Sequence, residues 1–206
     1  MIHSLNLAQR EFGDIDIYIF DQILKGRFQP HHKIIDMGCG NGRNLYYFLK
    51  NQYWVCGVDY NDAALNEAIL TASQLHPKLP TTNFQLNHII DAEFEAESFD
   101  WVICNAVLHF AQNRSHFEEI LFKMWAFLKP KGRFIARVAS NIGIENNVTP
   151  IENGRHRLAN GIEWFLVNEA LLLEYSKKLN GQLFEPLKTT NVQNMRCMTT
   201  WCLEKL

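Results

Sequence analysis

Residues 34–44 read IIDMGCGNGRN, with three alternating glycines directly after a short apolar run. KIIDM (33–37) suits a buried strand, and a chain that leaves it through Gly38, Gly40 and Gly42 gives up three side chains at the strand's end. Absent Cβ atoms permit positive φ and let a ligand approach the backbone. The amides opening the next helix, near Gly42 to Asn44, offer donors to an anionic group. Cys39 lies inside the same turn. A second apolar run, YWVCGVD (53–59), ends in Asp59. A carboxylate there accepts hydrogen bonds from a ribose diol and repels a 2′-phosphate. Together these residues describe a pocket for a nucleoside that also carries an anionic group.

The surrounding chain alternates strand and helix. RNLYYFLKN (43–51) has helical spacing between the first two strands, and a helix capped by Asn61 carries Leu65, Ile69 and Ala72 on one face. NFQLN (83–87), FDWVICNAV (99–107) and GRFIARVAS (132–140) read as three further strands. Ser115 and Glu118 form a capping-box pattern ahead of a helix that LKPKGR (128–133) stops. A last helix spans about 168–180, and QLFEPLKTTNV with MRCMTTWCLEK then reads as an antiparallel pair. The order implies an α/β, doubly wound, mostly parallel seven-stranded sheet with an antiparallel edge strand and helices on both faces. One domain over 1–206 is expected. Within it, 1–32 forms an N-terminal helical segment, with a helix over 14–24, and the irregular stretch 141–163 forms a lid or substrate loop.

Composition narrows the function classes. At 47% hydrophobic, 20% charged and a net charge of −2, the chain shows no electrostatic footprint for nucleic acid or an anionic membrane. A small, weakly charged partner fits better. No apolar run approaches the ~20 residues that span a bilayer, and MIHSLNLAQREFG lacks the pattern of a secretory signal, so a cytoplasmic protein is expected, as a monomer or homodimer. Five scattered cysteines without CxxC pairs read as reduced packing residues, with no metal site.

A dinucleotide turn is usually GxGxxG, whereas this one is GxGxG followed by Arg43, which argues against a pyrophosphate. The pattern acid-x-Gly-x-Gly-x-Gly, met by Asp36, Gly38, Gly40 and Gly42, resembles the first motif of the class I S-adenosylmethionine-dependent methyltransferases. Asp59, ESFDWVICNAVLHF (97–110) and LKPKGRFIA (128–136) extend the resemblance in order over most of the chain. It implies a Rossmann-like methyltransferase fold with S-adenosyl-L-methionine as cofactor. By the same resemblance Asp59 holds the ribose hydroxyls, Tyr60 packs near adenine, and Asp36 lies with the turn of Cys39 and Asn44 under the methionine portion. Asn105 stands near the amino acid group, or satisfies backbone groups at a strand end. The family's acid for the adenine amino group falls, by counting, on His88, so that contact lies among His88, the Ile89 amide and Asp91.

The expected reaction is methyl transfer to a small-molecule acceptor by in-line displacement. His109, after the fourth strand, reads as a catalytic residue that accepts a proton or orients the acceptor, or else as a packed histidine. Phe110 walls the pocket. Arg155 and Arg157 on the 141–163 loop suit an anionic acceptor, and Tyr18, with Asp14 and Asp16, closes the site from the other side. Two other readings stand beside this one: a non-catalytic S-adenosylmethionine-binding sensor or partner subunit, and an NAD-dependent oxidoreductase.

Overall fold

The computed structural model describes residues 2–206, with side chains from Leu7 onward. Two helices, α1 (Ile2–Phe12) and α2 (Ile17–Leu24), precede the first strand. The alternating part then runs β1 (Lys33–Met37), α3 (Tyr46–Lys50), β2 (Trp54–Asp59), α4 (Asp62–Leu75), β3 (Phe84–Leu86), β4 (Phe99–Asn105), α5 (Arg114–Phe127) and β5 (Leu128–Ser140). Three short strands follow, β6 (Thr149–Pro150), β7 (Arg155–Arg157) and β8 (Glu163–Phe165). The chain closes with α6 (Glu169–Lys178), β9 (Gly181–Leu183), β10 (Lys188–Val192) and β11 (Arg196–Lys205).

The main sheet runs β10-β11-β5-β4-β1-β2-β3, with β9 also paired to β11. β1 through β5 are mutually parallel, and β11 runs against β5. The expected reversed strand is therefore present but is not at the edge. Most of β11 is buried and needs a neighbour on each side, whereas β10 is KTTNV, largely exposed, and tolerates an open edge. β9 and β10 together make that edge, interrupted at Phe184–Leu187.

Alternation along the strands splits the apolar residues between two layers. Ile34, Ile103, Ile135 and Cys202 pack with α2, α3 and α4 on one face, and Ile35, Val102, Phe134 and Trp201 pack with α5 and α6 on the other. All five cysteines are free and buried. No helix among the described residues is long and apolar enough to cross a membrane.

Three local expectations are corrected. The stretch 141–163 is not irregular: β6, β7 and β8 form a three-stranded antiparallel sheet, and Ile144, Val148, Leu158 and Leu166 give this insert a core shared with Cys197 and Met198 of β11. α5 starts at Arg114 because the Asn113 side chain accepts the His116 amide at 2.8 Å, which leaves Ser115 and Glu118 inside the helix. α3 opens only at Tyr46, so residues 43–45 form turns rather than a helix start.

Candidate active site

The glycine turn is tied to the second strand through backbone atoms alone. The Gly38 and Cys39 amides both donate to the Val58 carbonyl, at 2.8 and 3.0 Å. Gly38 has φ +86°, and a Cβ there would lie 2.3 Å from Val107 Cγ2, so the turn must be bare where the loop after β4 crosses it. Gly40, at φ +53°, has nothing within 4 Å of the same position and faces open space. Its amide donates to Asp59 Oδ2 at 2.7 Å, while Asp59 Oδ1 accepts the Asn61 amide at 2.9 Å. Each carboxylate oxygen retains a further lone pair for a ligand.

A cavity of about 280 Å³ occupies that open space. Gly38, Gly40, Asp59 and Tyr60 bound one side, and Ile89, Asn105, Val107 and Phe110 the other. Tyr60 is 70% exposed and stacks on His88, with ring centroids 5.4 Å apart and 14° between planes. Ile89 thus lines the cavity directly, His88 backs Tyr60, and Asp91 is exposed and outside the wall. Asn61, Ala64, Asn87 and Ala106 also line it and escaped the sequence reading. Asn61 carried a signal, being the cap of α4, whereas Ala106 carried none: it takes φ +62°, a conformation that its side chain does not advertise.

Polar groups buried beside the cavity lack partners. Asn105 is 9% exposed, and its Oδ1 has no hydrogen bond among the described residues. Asp36, beneath the turn, is fully buried, and neither of its oxygens has a hydrogen bond among the described residues. Burial raises its carboxyl to about 7, and the Asp59 charge adds to this while Arg43 opposes it. Asn44 is buried and its Oδ1 accepts the Asp16 amide at 3.1 Å, which ties α2 to the turn. Cys39 is buried within the turn, and its thiol is pushed upward by burial.

The remaining candidates separate. His109 is 3% exposed and lies outside the cavity wall, packed between Phe110 and Trp164 of β8 with ring centroids at 4.5 and 4.4 Å. Burial lowers its pKa to about 4, so the imidazole is neutral at pH 7. Arg155 and Arg157 flank a different cavity, of about 520 Å³, on the insert. Arg155 donates to the Glu163 carbonyl at 2.7 Å, and Arg157 donates to Glu163 Oε1 at 2.7 and 3.0 Å. A larger cavity of about 670 Å³ lies between the start of α5, the start of α6 and the insert, and none of Gly38, Gly40 and Gly42 lines it. Tyr18 reaches over the sheet to Thr190, with 2.6 Å between hydroxyls. Exposed Asp14 only offers its carbonyl to Arg43, and Asp16 caps α2 while pairing with Arg137 at 2.8 Å. Arg137 was missed, although a cation between the apolar residues of FIARVA (134–139) was a visible signal.

The arrangement has counterparts among known proteins. A curated relative, the uncharacterized methyltransferase YodH of Bacillus subtilis, is 31% identical over 106 residues, 52% of this chain and 42% of that protein. The match thus spans less than half of that relative's length. Among solved structures, a methyltransferase described as SAM-dependent from Methanosarcina mazei superposes with a TM-score of 0.70 at 20% identity, over 89% of this chain and 97% of that one. The 1,6-didemethyltoxoflavin-N1-methyltransferase of Burkholderia thailandensis, solved with its substrate and S-adenosylhomocysteine, gives 0.69 at 18% identity over 99% and 87%. At such identities the likeness is one of fold. The family model described as a methyltransferase domain matches residues 28–153, more than half of the chain and the whole segment from the lead into β1 to the insert, and the chain belongs to that family.

Proposed function

We propose that the chain transfers a methyl group from S-adenosyl-L-methionine to a small-molecule acceptor. One observation carries the reading: a single cavity runs from Asp59, across the bare Gly40, to Asn105, whose buried oxygen lacks a partner among the described residues. The residues fit the cofactor's chemistry. Asp59 has lone pairs for a ribose diol, Tyr60 and Ile89 offer an aromatic and an aliphatic surface to adenine, and Asn105 in the wall, whose oxygen lacks a partner among the described residues, suits an ammonium group. When bound, that cofactor supplies an electrophilic methyl on a sulfonium, whose carbon–sulfur electrons leave with the sulfur as the acceptor's lone pair forms the new bond.

The chain's own task is then to align the acceptor and exclude water, an effect that supplies up to ~7–11 kcal/mol. Val107 and Phe110 wall the cavity where β4 ends, and the insert supports Phe110 through His109 and Trp164. His109 thereby acts as a positioning residue, and a thiol, carboxylate or neutral amine acceptor needs no strong base from the protein. Its five buried free thiols support a reducing, cytoplasmic setting.

A non-catalytic cofactor-binding role draws on one specific feature: among the described residues, Asp59 is the only carboxylate in the cavity wall. Two measurements separate the readings. Calorimetric titration with S-adenosylmethionine, S-adenosylhomocysteine and NAD should give binding of the first two alone. Release of S-adenosylhomocysteine with a panel of thiol, amine and carboxylate acceptors should then reveal turnover. Binding without turnover supports the non-catalytic role, and binding of NAD alone supports an oxidoreductase.

A further inference from the structure

Five of the ten buried side-chain nitrogen and oxygen atoms that lack a partner among the described residues belong to four residues on one face of the sheet. They are both oxygens of Asp36, Asn105 Oδ1, Arg137 Nε and Thr200 Oγ1. Asn105, Arg137 and Thr200 stand in register on the adjacent strands β4, β5 and β11, so their side chains form one row across the sheet. The row starts at the cavity, since Asn105 lines it, and continues beneath α2. A protein interior rarely leaves such a concentration of polar groups unmatched.

Direction follows from the strand order. Asp59 ends β2 and Asn105 ends β4, so a nucleoside held at Asp59 presents its far end toward β4. β5 and β11 come next in that direction. An acceptor lying beyond that far end is on the side of Arg137 and Thr200, which continue the row past Asn105 in the cavity wall.

Arg137 is suited to an anion. Asp16 takes its Nη1 at 2.8 Å, the guanidinium lies 5.5 Å from the centre of the Tyr18 ring, and Nε is left with no acceptor. The Nε side is the edge that grips a carboxylate through two parallel hydrogen bonds. Arg157, by contrast, already donates through Nε and Nη2 to Glu163, and Arg155, whose Nε also lacks a partner among the described residues, lies on the insert's own cavity rather than in the row that starts at Asn105. We propose that Arg137, with Thr200 beside it, is the anchor for a carboxylate carried by the methyl acceptor. This rests on the methyl-transfer reading above and narrows it to an anionic acceptor class. α2 covers the row through three polar links, Asp16 to Arg137, Tyr18 to Thr190 and the Asp16 amide to Asn44, and so stands where the acceptor must pass.

The test uses the full chain and matched acceptor pairs: 3-mercaptopropionate against its amide, glycine against glycinamide, and 4-hydroxybenzoate against 4-hydroxybenzamide. Methyl transfer is followed as released S-adenosylhomocysteine, and cofactor affinity is followed by calorimetry with S-adenosylhomocysteine. At least one acid should exceed its amide by roughly 10- to 100-fold in kcat/KM, the size of a charge-assisted fork. Arg137→Gln should erase that preference through KM and leave cofactor affinity unchanged. Because that variant strands a buried Asp16, the double variant Asp16→Asn with Arg137→Gln is measured alongside and should lose the same preference. Amides accepted as well as acids, or no acid methylated by a protein that binds S-adenosylhomocysteine, overturn the proposal. So does an Arg137→Gln variant that weakens S-adenosylhomocysteine and keeps the acid preference, which assigns the guanidinium to the cofactor's own carboxylate. Failure to bind S-adenosylhomocysteine at all overturns the methyl-transfer reading instead.

Discussion

Asp59 Oδ2 accepts the Gly40 amide at 2.7 Å, so the acid that ends β2 and the turn that follows β1 are already one unit without a ligand. The contact holds the carboxylate over the bare turn rather than out in solvent, where its charge would be screened. Asp59→Ala removes this link together with the ribose contacts. Its affinity for S-adenosylhomocysteine should fall by roughly 10- to 100-fold, as expected for charge-assisted hydrogen bonds. Calorimetry checks this, and unchanged affinity removes Asp59 from the site.

Gly38 and Gly40 should respond differently to the same methyl group. Gly38→Ala drives a carbon to 2.3 Å from Val107 Cγ2 in a left-handed backbone and should cost about 2–4 kcal/mol, roughly 5–15 °C in Tm. Val107→Ala in that background should recover the steric part. Gly40→Ala meets no atom within 4 Å, so it should cost only ~1 kcal/mol of stability while pushing its methyl into the ligand's space. Thermal melts paired with titration distinguish the two, and equal losses of stability contradict the geometry.

How far the sequence carried this picture depended on the length of each signal. β1, β2, β4 and β5 are apolar runs long enough to show themselves, and Asn61 caps α4 as its position suggests. The insert was illegible because Thr149–Pro150 and Arg155–Arg157 are too short to display a period, and its core borrows Cys197 and Met198 from far along the chain. Asn113 displaced the Ser115 pattern because either residue caps well and only tertiary context chooses. Within the site, Gly38, Gly40, Asp59 and Tyr60 were readable as a local motif. The separation of His109 from the cavity, and the placing of Arg137 beside Asn105, depend on strand pairing and on the fold of the insert.

Two buried titratable groups predict opposed pH dependences. Burial raises Asp36 from 3.8 to about 7, so the folded protein keeps a proton that the unfolded chain has released, and stability falls as pH rises from about 4 to 7. Burial lowers His109 from 6.5 to about 4, so the unfolded chain takes a proton that the folded one refuses, and stability falls as pH drops from about 6.5 to 4. Each effect amounts to at most a few kcal/mol. Urea midpoints should rise between pH 4 and 6.5 in Asp36→Asn, fall between pH 4 and 7 in His109→Gln, and change less in the wild type below 6.5. Three parallel profiles contradict the burial of both groups.

Arg157 supplies a contrast with the anchor assigned to Arg137. Its pair with Glu163 leaves both side chains well exposed, at 57% and 36%, and such pairs contribute ~0–1 kcal/mol. Arg157→Ala should therefore shift Tm by no more than about 3 °C and leave both S-adenosylhomocysteine affinity and acceptor turnover unchanged. A loss of turnover would return the insert's arginines to the acceptor site.

A crystal structure of the chain grown with S-adenosylhomocysteine tests the central claim most directly. The predicted result places the ribose hydroxyls on the Asp59 carboxylate, adenine against Tyr60 and Ile89, and the amino acid end toward Asn105, within the 280 Å³ cavity over Gly40. A ligand bound elsewhere, above all in the larger cavity between α5 and α6, or a carboxylate of Asp59 that makes no contact with it, would contradict the account.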